Sequence, residues 1–291
     1  MPDPQVTRVE VEGRTLRLTS LDKVMYPATE TTKGEVLAYY AQVAPVLLPH
    51  LADRPVTRVR WPHGTADASF FEKNVPSGAP SWLPRVQVDD VTYPLVPDQA
   101  TLTYLVNLNA LELHVPQWTV VDGEPQHPNR LVIDLDPGPP AGLHECARAA
   151  LVVRERLERL GMELYPVTSG SKGMQLYAGL GGDLSSAQVR DLAQQLAQEL
   201  TGEHPDLLLW RMTKTLRPGK VFLDWSQNVA AKTTISPYSM RGRDDPWVAA
   251  PRTWDEVEEG AEDPEALRQL ETHEVLERLD RDGDLLEDLL G

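Results

Sequence analysis

The sequence predicts an α+β fold, and three observations carry that prediction. Apolar residues recur at helical spacing in long stretches such as GEVLAYYAQVAPVLLPHL, LHECARAALVVRERLERLG and SSAQVRDLAQQLAQELTG. Between them lie short runs rich in β-branched and aromatic residues, RLVIDLD, LYPVTSG, GMQLYAGL and KVFLDWSQ. In the centre the order is strand, helix, strand, strand, helix, strand. Two of those strands follow each other with only a glycine turn between them, so they pair antiparallel, unlike the strands of a uniform doubly wound sheet.

From the N-terminus, VTRVEVEGRTLRLTS alternates apolar and polar residues around Gly13 and reads as an edge β-hairpin. Thr32 precedes an amphipathic helix carrying Val36, Tyr39, Tyr40, Val43 and Leu47, which Pro45 is expected to kink or end. The stretch from Pro62 to Pro97 reads as loops around one hairpin, VQVDDVTYPLV. A helix then a strand fit QATLTYLVNLNALELHVPQW, with VDGEPQHPN a turn-rich connection. Ser185 and Gln188 form a capping box for the last central helix. The final fifty residues read as short helices, with Leu267, Leu270, Val275, Leu276 and Leu279 facing inward and acids outward. No internal repeat is present.

Composition narrows the class. One cysteine, Cys146, forms no internal disulfide and supplies no thiolate cluster, so a reducing, cytoplasmic compartment is expected. No apolar run approaches the roughly 20 residues that span a bilayer, and the N-terminus lacks a signal-peptide pattern, so no membrane partner is expected. The formal charge of −16 argues against nucleic acid until its distribution is read. Residues 244–291 carry 17 acidic and 4 basic side chains, which leaves residues 1–243 at only −3. That acidic tail reads either as a solvated face that deters non-specific DNA contact or as a dock for a basic partner, and the first is favoured.

The sharpest local feature is Asp134-Leu135-Asp136 at the end of an apolar strand, before Pro137-Gly138. Residues i and i+2 of a strand share a face, so the two carboxylates converge. A divalent cation between them is one explanation; a turn cap plus a solvated acid is the other. Asp224 in VFLDWSQN is a third acid ending an apolar strand, and three such carboxylates fit a two-metal site for phosphoryl transfer. Nearby in sequence type are Ser169 and Lys172 in TSGSKG, Arg217 and Lys220 in TLRPGKV, Lys232, Arg241 and Arg243, groups suited to a triphosphate. SGSKG does not match a P-loop, and a plain glycine turn is its commoner meaning. His114 in ELHVPQW suits a phosphate or metal contact, although such a histidine is more often a hydrogen-bonded core residue.

Taken together, LTSLDKVMYPATETTK, TRVRWPHG with FFEKN, LELHVPQW, RLVIDLDPG, VTSGSKGMQLY, LRPGKVFLDWSQN, KTTISPYSMRGR and APRTW with RDGDLLE resemble, in order over about residues 15–288, the polymerase domain of bacterial ligase D. That family belongs to the archaeo-eukaryotic primase superfamily and acts in non-homologous end joining. The resemblance implies a primase-polymerase fold, a small α/β module and an RRM-like module flanking a catalytic cleft, with residues 1–291 one catalytic domain and segment 244–291 packed on it. It implies a metal-dependent, DNA-directed nucleotidyltransferase that fills gaps and extends ends in double-strand break repair and favours ribonucleotides.

Carried over position by position, the resemblance makes Asp134, Asp136 and Asp224 the catalytic ligands of two ions, Mn2+ or Mg2+. His114, Ser169, Lys172, Arg217, Gln227 and Arg241 fall on nucleotide-binding positions for an NTP or dNTP. Lys23 and Lys33, ordinary surface lysines on local pattern alone, match a pocket for the 5′-phosphate of gapped duplex or a DNA end. Phe70 and Phe71 match template contacts; on local pattern one of them suits a core position. Two departures stand out: Ser20 where the family pocket has asparagine, and Val59 where the pattern has a lysine near the triphosphate. A Ku-type protein and a DNA ligase are implied partners, with a nucleoid-associated location, although the chain has no K-x-D-G ligase motif and reads equally as a stand-alone protein or a domain. Rival readings are a replicative primase, a DNA-end bridging module with a weak polymerase site, and a metal-dependent nuclease, the last disfavoured because no general-base histidine neighbours the acids.

Overall fold

In the computed structural model, residues 6–290 are described. The chain runs β1 (Val6–Val11), β2 (Arg14–Thr19), β3 (Val24–Tyr26), β4 (Thr31–Thr32), α1 (Lys33–Leu51), β5 (Thr57–Arg60), β6 (Phe70–Glu72), β7 (Arg85–Val88) and β8 (Val91–Pro94). There follow α2 (Gln99–Asn107), β9 (Ala110–Val115), β10 (Trp118–Val121), β11 (Glu124–Pro128), β12 (Arg130–Pro137), α3 (Leu143–Glu158), β13 (Tyr165–Thr168), β14 (Met174–Gly179) and α4 (Ser186–Glu203). The last elements are β15 (Leu208–Leu209), β16 (Val221–Asp224), β17 (Thr234–Ile235), β18 (Trp247–Val248), β19 (Ala250–Pro251), α5 (Trp254–Glu262), β20 (Leu270–Glu271) and α6 (Thr272–Asp282).

Two sheets organise the molecule, a four-stranded one in the order β17-β9-β5-β6 and a six-stranded one in the order β15-β16-β12-β14-β13-β19. All pairings in them are antiparallel except β15 with β16. This is the α+β arrangement expected. The faces of β12 explain how the sheets meet. Leu131, Ile133 and Leu135 pack with Ala147, Ala150 and Val153 of α3 and Val189, Ala193 and Leu196 of α4. Val132, on the opposite face, joins a second core with Val167, Tyr177 and Ile235 and with Tyr39, Tyr40 and Val43 of α1. Polar residues of that opposite face therefore lie at the junction between sheets rather than in the helix-covered core.

Local chemistry accounts for most elements. Thr32 caps α1 with Glu35 in a capping box, and Ser185 does the same for α4 with Gln188. Three expectations are corrected. Of the two outcomes expected at Pro45, an end is ruled out: helix α1 runs through both Pro45 and Pro49 to Leu51. Pro45 removes the donor that would bond Ala41 O, and the Gln99 side chain approaches that carbonyl at 3.5 Å, while packing on α2 holds the helix. Phe70 and Phe71, expected within loops, form strand β6 against β5. The connection VDGEPQHPN is part of the β10–β11 hairpin, with Gly123 at φ 85° in its turn.

In the acidic tail, Val257 of α5 enters the helix-side core, and Val275 of α6 with Leu286 and Leu289 enters the other. Among the described residues no helix is long and apolar enough to cross a membrane.

His50, in the last turn of α1, is fully buried. Burial, with Arg130 and Arg54 nearby, depresses its pKa to about 3. The unfolded chain takes up a proton near pH 6.5 that the folded one refuses, so this stability is present above pH 6.5 and is lost as pH falls below it. Between pH 7 and 5.5, equilibrium unfolding should show the wild type losing about 1 kcal/mol more than His50→Leu.

Candidate active site

The two sheets leave a cavity of about 440 Å3 at their junction. Its acidic wall is built by register. Asp134 on β12 lies directly opposite Asp224 on β16 and, on its other side, opposite Gln175 on β14. Directly opposed residues share a face, and Asp136 joins them two residues along β12. Burial raises the pKa of Asp134 to about 8, and the negative charges of Asp136 and Asp224 push it the same way. Asp136 is also raised by burial, against the pull of Arg217.

Each acid is turned toward its own partner. Asp224, 9% exposed, accepts from Ser226 N at 3.0 Å, from Ser226 Oγ and from Gln227 Nε2 at 3.0 Å. Lys232 donates in turn to Ser226 Oγ. Asp136 faces Arg217 Nη1 at 3.6 Å, and that guanidinium stacks 4.1 Å over the ring of Phe222. The three carboxylates thus share a face, yet among the described residues no three His, Cys, Asp or Glu side chains close into a donor cage. Their chemistry nonetheless suits a hard divalent ion. All are oxygen donors, and like charges placed this close are unfavourable without a cation.

The rest of the wall is polar and cationic. His114, Ser169, Lys172, Gln227 and Arg241 line the cavity with Asp134 and Asp136. Arg217 is brought in through Asp136 instead. In the TSGSKG turn, Ser169 N donates to Gly173 O at 2.9 Å, and Gly170 takes φ 65°. Gly173 packs against β12 so closely that a Cβ there would lie 2.0 Å from Leu135 O.

Several contributors were not legible in advance. Glu112, 6% exposed, sits two residues before His114 on β9 and accepts from its Nε2 at 2.7 Å. It also accepts from Gly242 N at 3.0 Å and lies 3.5 Å from Arg241 Nε. One buried acid thereby holds two cavity side chains, His114 and Arg241, from distant segments. Asn228 Nδ2 donates to Val132 O at 2.7 Å while its Oδ1 accepts from Val132 N, tying the turn after Asp224 to β12. Gln175, Thr233, Thr234 and Ser171 also line the cavity, beside Arg243, which the sequence had already singled out. The i, i+2 spacing of Glu112 and His114 was the one available signal.

The remaining singled-out residues lie apart from the carboxylates. Phe70 and Phe71 are 52% and 59% exposed, so neither is a core residue. The Phe71 ring lies 6.5 Å from that of His114, at the cavity margin. Val59 faces Phe71 and Glu112 across its two neighbouring strands. Lys23 and Lys33 are not ordinary surface lysines. Lys33 is 2% exposed and donates to Thr19 O at 2.7 Å. Lys23 donates to Asn109 Oδ1 at 2.6 Å and Pro62 O at 2.8 Å. Burial, with Lys23 adding its charge, lowers the Lys33 pKa to about 8. Neither lysine forms an ion pair among the described residues. Ser20, between them and β2, takes φ 53°.

The family described as "LigD, primase-polymerase domain" matches residues 32–286. The chain is 52% identical over 275 residues to the multifunctional non-homologous end joining protein LigD of Mycolicibacterium smegmatis, covering 93% of this chain and 35% of that protein. It is 35% identical over 269 residues to the bifunctional non-homologous end joining protein LigD of Bacillus subtilis, covering 92% and 43%. The chain thus spans about a third to two-fifths of the length of these curated relatives. Among solved structures, the polymerase domain of Mycobacterium tuberculosis ligase D in complex with DNA superposes with a TM-score of 0.90 at 48% identity, covering 94% of this chain and 98% of that one.

Gly173→Ala should drive its methyl into Leu135 O and push the glycine turn off the aspartate strand. The expected cost is about 1–3 kcal/mol of overpacking, read as a lowered thermal midpoint.

Proposed function

Because the chain belongs to the LigD primase-polymerase family, we propose that it is a metal-dependent, DNA-directed nucleotidyltransferase that fills gaps and extends ends in double-strand break repair. The observation that carries this reading is the cross-strand Asp134–Asp224 pair, with Asp134 and Asp136 on the wall of a cavity otherwise lined mainly by cationic, hydroxyl and amide side chains. The DNA-bound relative supports a DNA substrate. Residues 1–291 act as one catalytic domain. Cytoplasmic, nucleoid-associated work beside a Ku-type protein and a DNA ligase fits the end-joining names of the relatives.

In this reading Asp134, Asp136 and Asp224 hold two divalent ions, Mn2+ or Mg2+, between them. When bound, such ions neutralise the triphosphate and favour ionisation of a primer 3′-hydroxyl. Lys172 and Arg241 meet the phosphates, and the Ser169–Gly173 turn presents its hydroxyl and backbone to them. Glu112 holds His114 and Arg241 in place while they engage the nucleotide. Gln227 and Ser226 fix one oxygen each of Asp224, directing its remaining lone pairs at the cavity. Arg217, stacked on Phe222 beside Asp136, would offer its guanidinium to a phosphate oxygen.

Lys23 and Lys33 receive the 5′-phosphate downstream of a gap. Two adjacent ammonium groups without a carboxylate partner create a local demand for an anion. Exposed Phe70 and Phe71 stack on the template strand beside the nucleotide. A preference for ribonucleotides completes the proposal.

Extension of a labelled primer across a short 5′-phosphorylated gap, with Mn2+ and either ribo- or deoxynucleotides, tests the reading and ranks the sugars. Asp134→Ala should lose at least about a thousandfold in template-directed addition while keeping its fold. Wild-type extension by the variant would sink the assignment. Lys23→Ala should weaken binding of the phosphorylated gap but not of its unphosphorylated counterpart, and lower the salt slope by about 1.

A further inference from the structure

Gln175 occupies a singular place. It is the cross-strand neighbour of Asp134 on the side away from Asp224, it is 4% exposed, and it lines the cavity. A primary amide has two unlike ends, an acceptor oxygen and a donor nitrogen, and only one of them helps a carboxylate. Here the choice is made from behind. Tyr177, two residues along β14 and therefore on the same face, sets its hydroxyl 2.9 Å from Gln175 Oε1 and 3.1 Å from Ile235 O, which share its one hydrogen. With Gln175 Oε1 turned to that hydroxyl, the amide nitrogen is the end left to face Asp134, whose carboxyl a hydrogen bond from Gln175 holds down against the effect of burial.

Tyr177 is itself held. It is fully buried, and the guanidinium of Arg130 lies 5.3 Å over its ring. Arg130, also fully buried, begins β12 four residues before Asp134 and so projects from the same face. Its Nε donates to Gln117 Oε1 at 2.6 Å, and Gln117 Nε2 donates to Thr234 Oγ1 at 3.0 Å, on another part of the cavity wall. One buried arginine behind the sheet junction thus anchors two parts of the site, through Tyr177 and through Gln117.

We propose that Gln175 is a positioning residue for Asp134, with Tyr177, clamped under Arg130, setting the direction of its amide so that the carboxylate is presented to a divalent cation. The inference rests on the metal-dependent reading above and adds to it. Partners of this kind that orient metal ligands typically contribute 10–100-fold in metal affinity or activity. A nucleotide-contacting glutamine would act elsewhere, on the nucleotide KM.

The test is Mn2+ binding to the full chain, followed by the paramagnetic resonance signal of free Mn2+, in wild type, Asp134→Ala, Gln175→Leu and Tyr177→Phe. Thermal midpoints report folding. Gln175→Leu is expected to weaken Mn2+ binding 10–100-fold. Tyr177→Phe, which keeps the stacked ring and deletes one oxygen, should weaken it in the same direction by at least about threefold, and it decides the matter alone if Gln175→Leu does not fold. In gap extension, the half-saturating Mn2+ concentration should rise in parallel, with the nucleotide KM at saturating Mn2+ within about twofold of wild type. Mn2+ affinity unchanged in a folded variant, or a raised nucleotide KM with the Mn2+ requirement unchanged, overturns the proposal while leaving the polymerase reading intact. Asp134→Ala binding Mn2+ as the wild type does would instead overturn the metal assignment, and this inference with it.

Discussion

The structure turns on one unfavourable juxtaposition. Antiparallel pairing of β12 with β16 sets Asp134 against Asp224, and the pleat adds Asp136 to the same face. Three carboxylates gathered at a partly buried sheet junction repel one another, and burial compounds the effect. Much of the surrounding architecture answers that cost. Arg217 approaches Asp136, Ser226 and Gln227 satisfy Asp224, and Lys172, Arg241 and Arg243 ring the cavity. Such a cluster costs stability unless a cation or a reaction uses it, which places it among the strained features that mark function.

The two faces of β12 divide the labour. Its odd residues seal the strand against α3 and α4, giving a rigid floor. Its even residues run from Arg130 through Val132 to Asp134 and Asp136, from a buried cation to the open carboxylates. Rigid elements hold reactive groups more precisely than loops do, and here all three aspartates sit on strands. The cations come instead from turns and strand ends on distant segments, and Glu112 ties His114 and Arg241 together across that distance. The acidic tail, packed into both cores through Val257, Val275 and Leu289, leaves the negative charge on the outside and the cavity with its local positive rim.

Much of this was legible beforehand. The D-x-D spacing on an apolar strand already required both carboxylates to share a face, and the strand VFLD ending in Asp224 offered a third. The helices around Tyr39, Ala150 and Ala193 and the capping box at Ser185 followed from periodicity and local hydrogen bonding. Misreadings arose where a distant partner overrides local pattern. Phe70 and Phe71 form a strand only because β5 is there to pair with. Helix α1 survives two prolines because its neighbours hold it. Lys33 looked like a surface cation but is buried, with the Thr19 carbonyl, fourteen residues away, accepting a hydrogen bond from its ammonium.

Short-range chemistry was enough for strand and helix periodicity, the shared face of Asp134 and Asp136, the acidic tail, and the linked motifs that mark the family. Which strand lies beside which came from long-range packing. It placed Asp224 opposite Asp134, Gln175 on the other flank, Glu112 between His114 and Arg241, and Arg130 behind Tyr177. Periodicity states which way a side chain points from its own strand. Register between strands is set by the summed packing of both sheets, so no single segment encodes it.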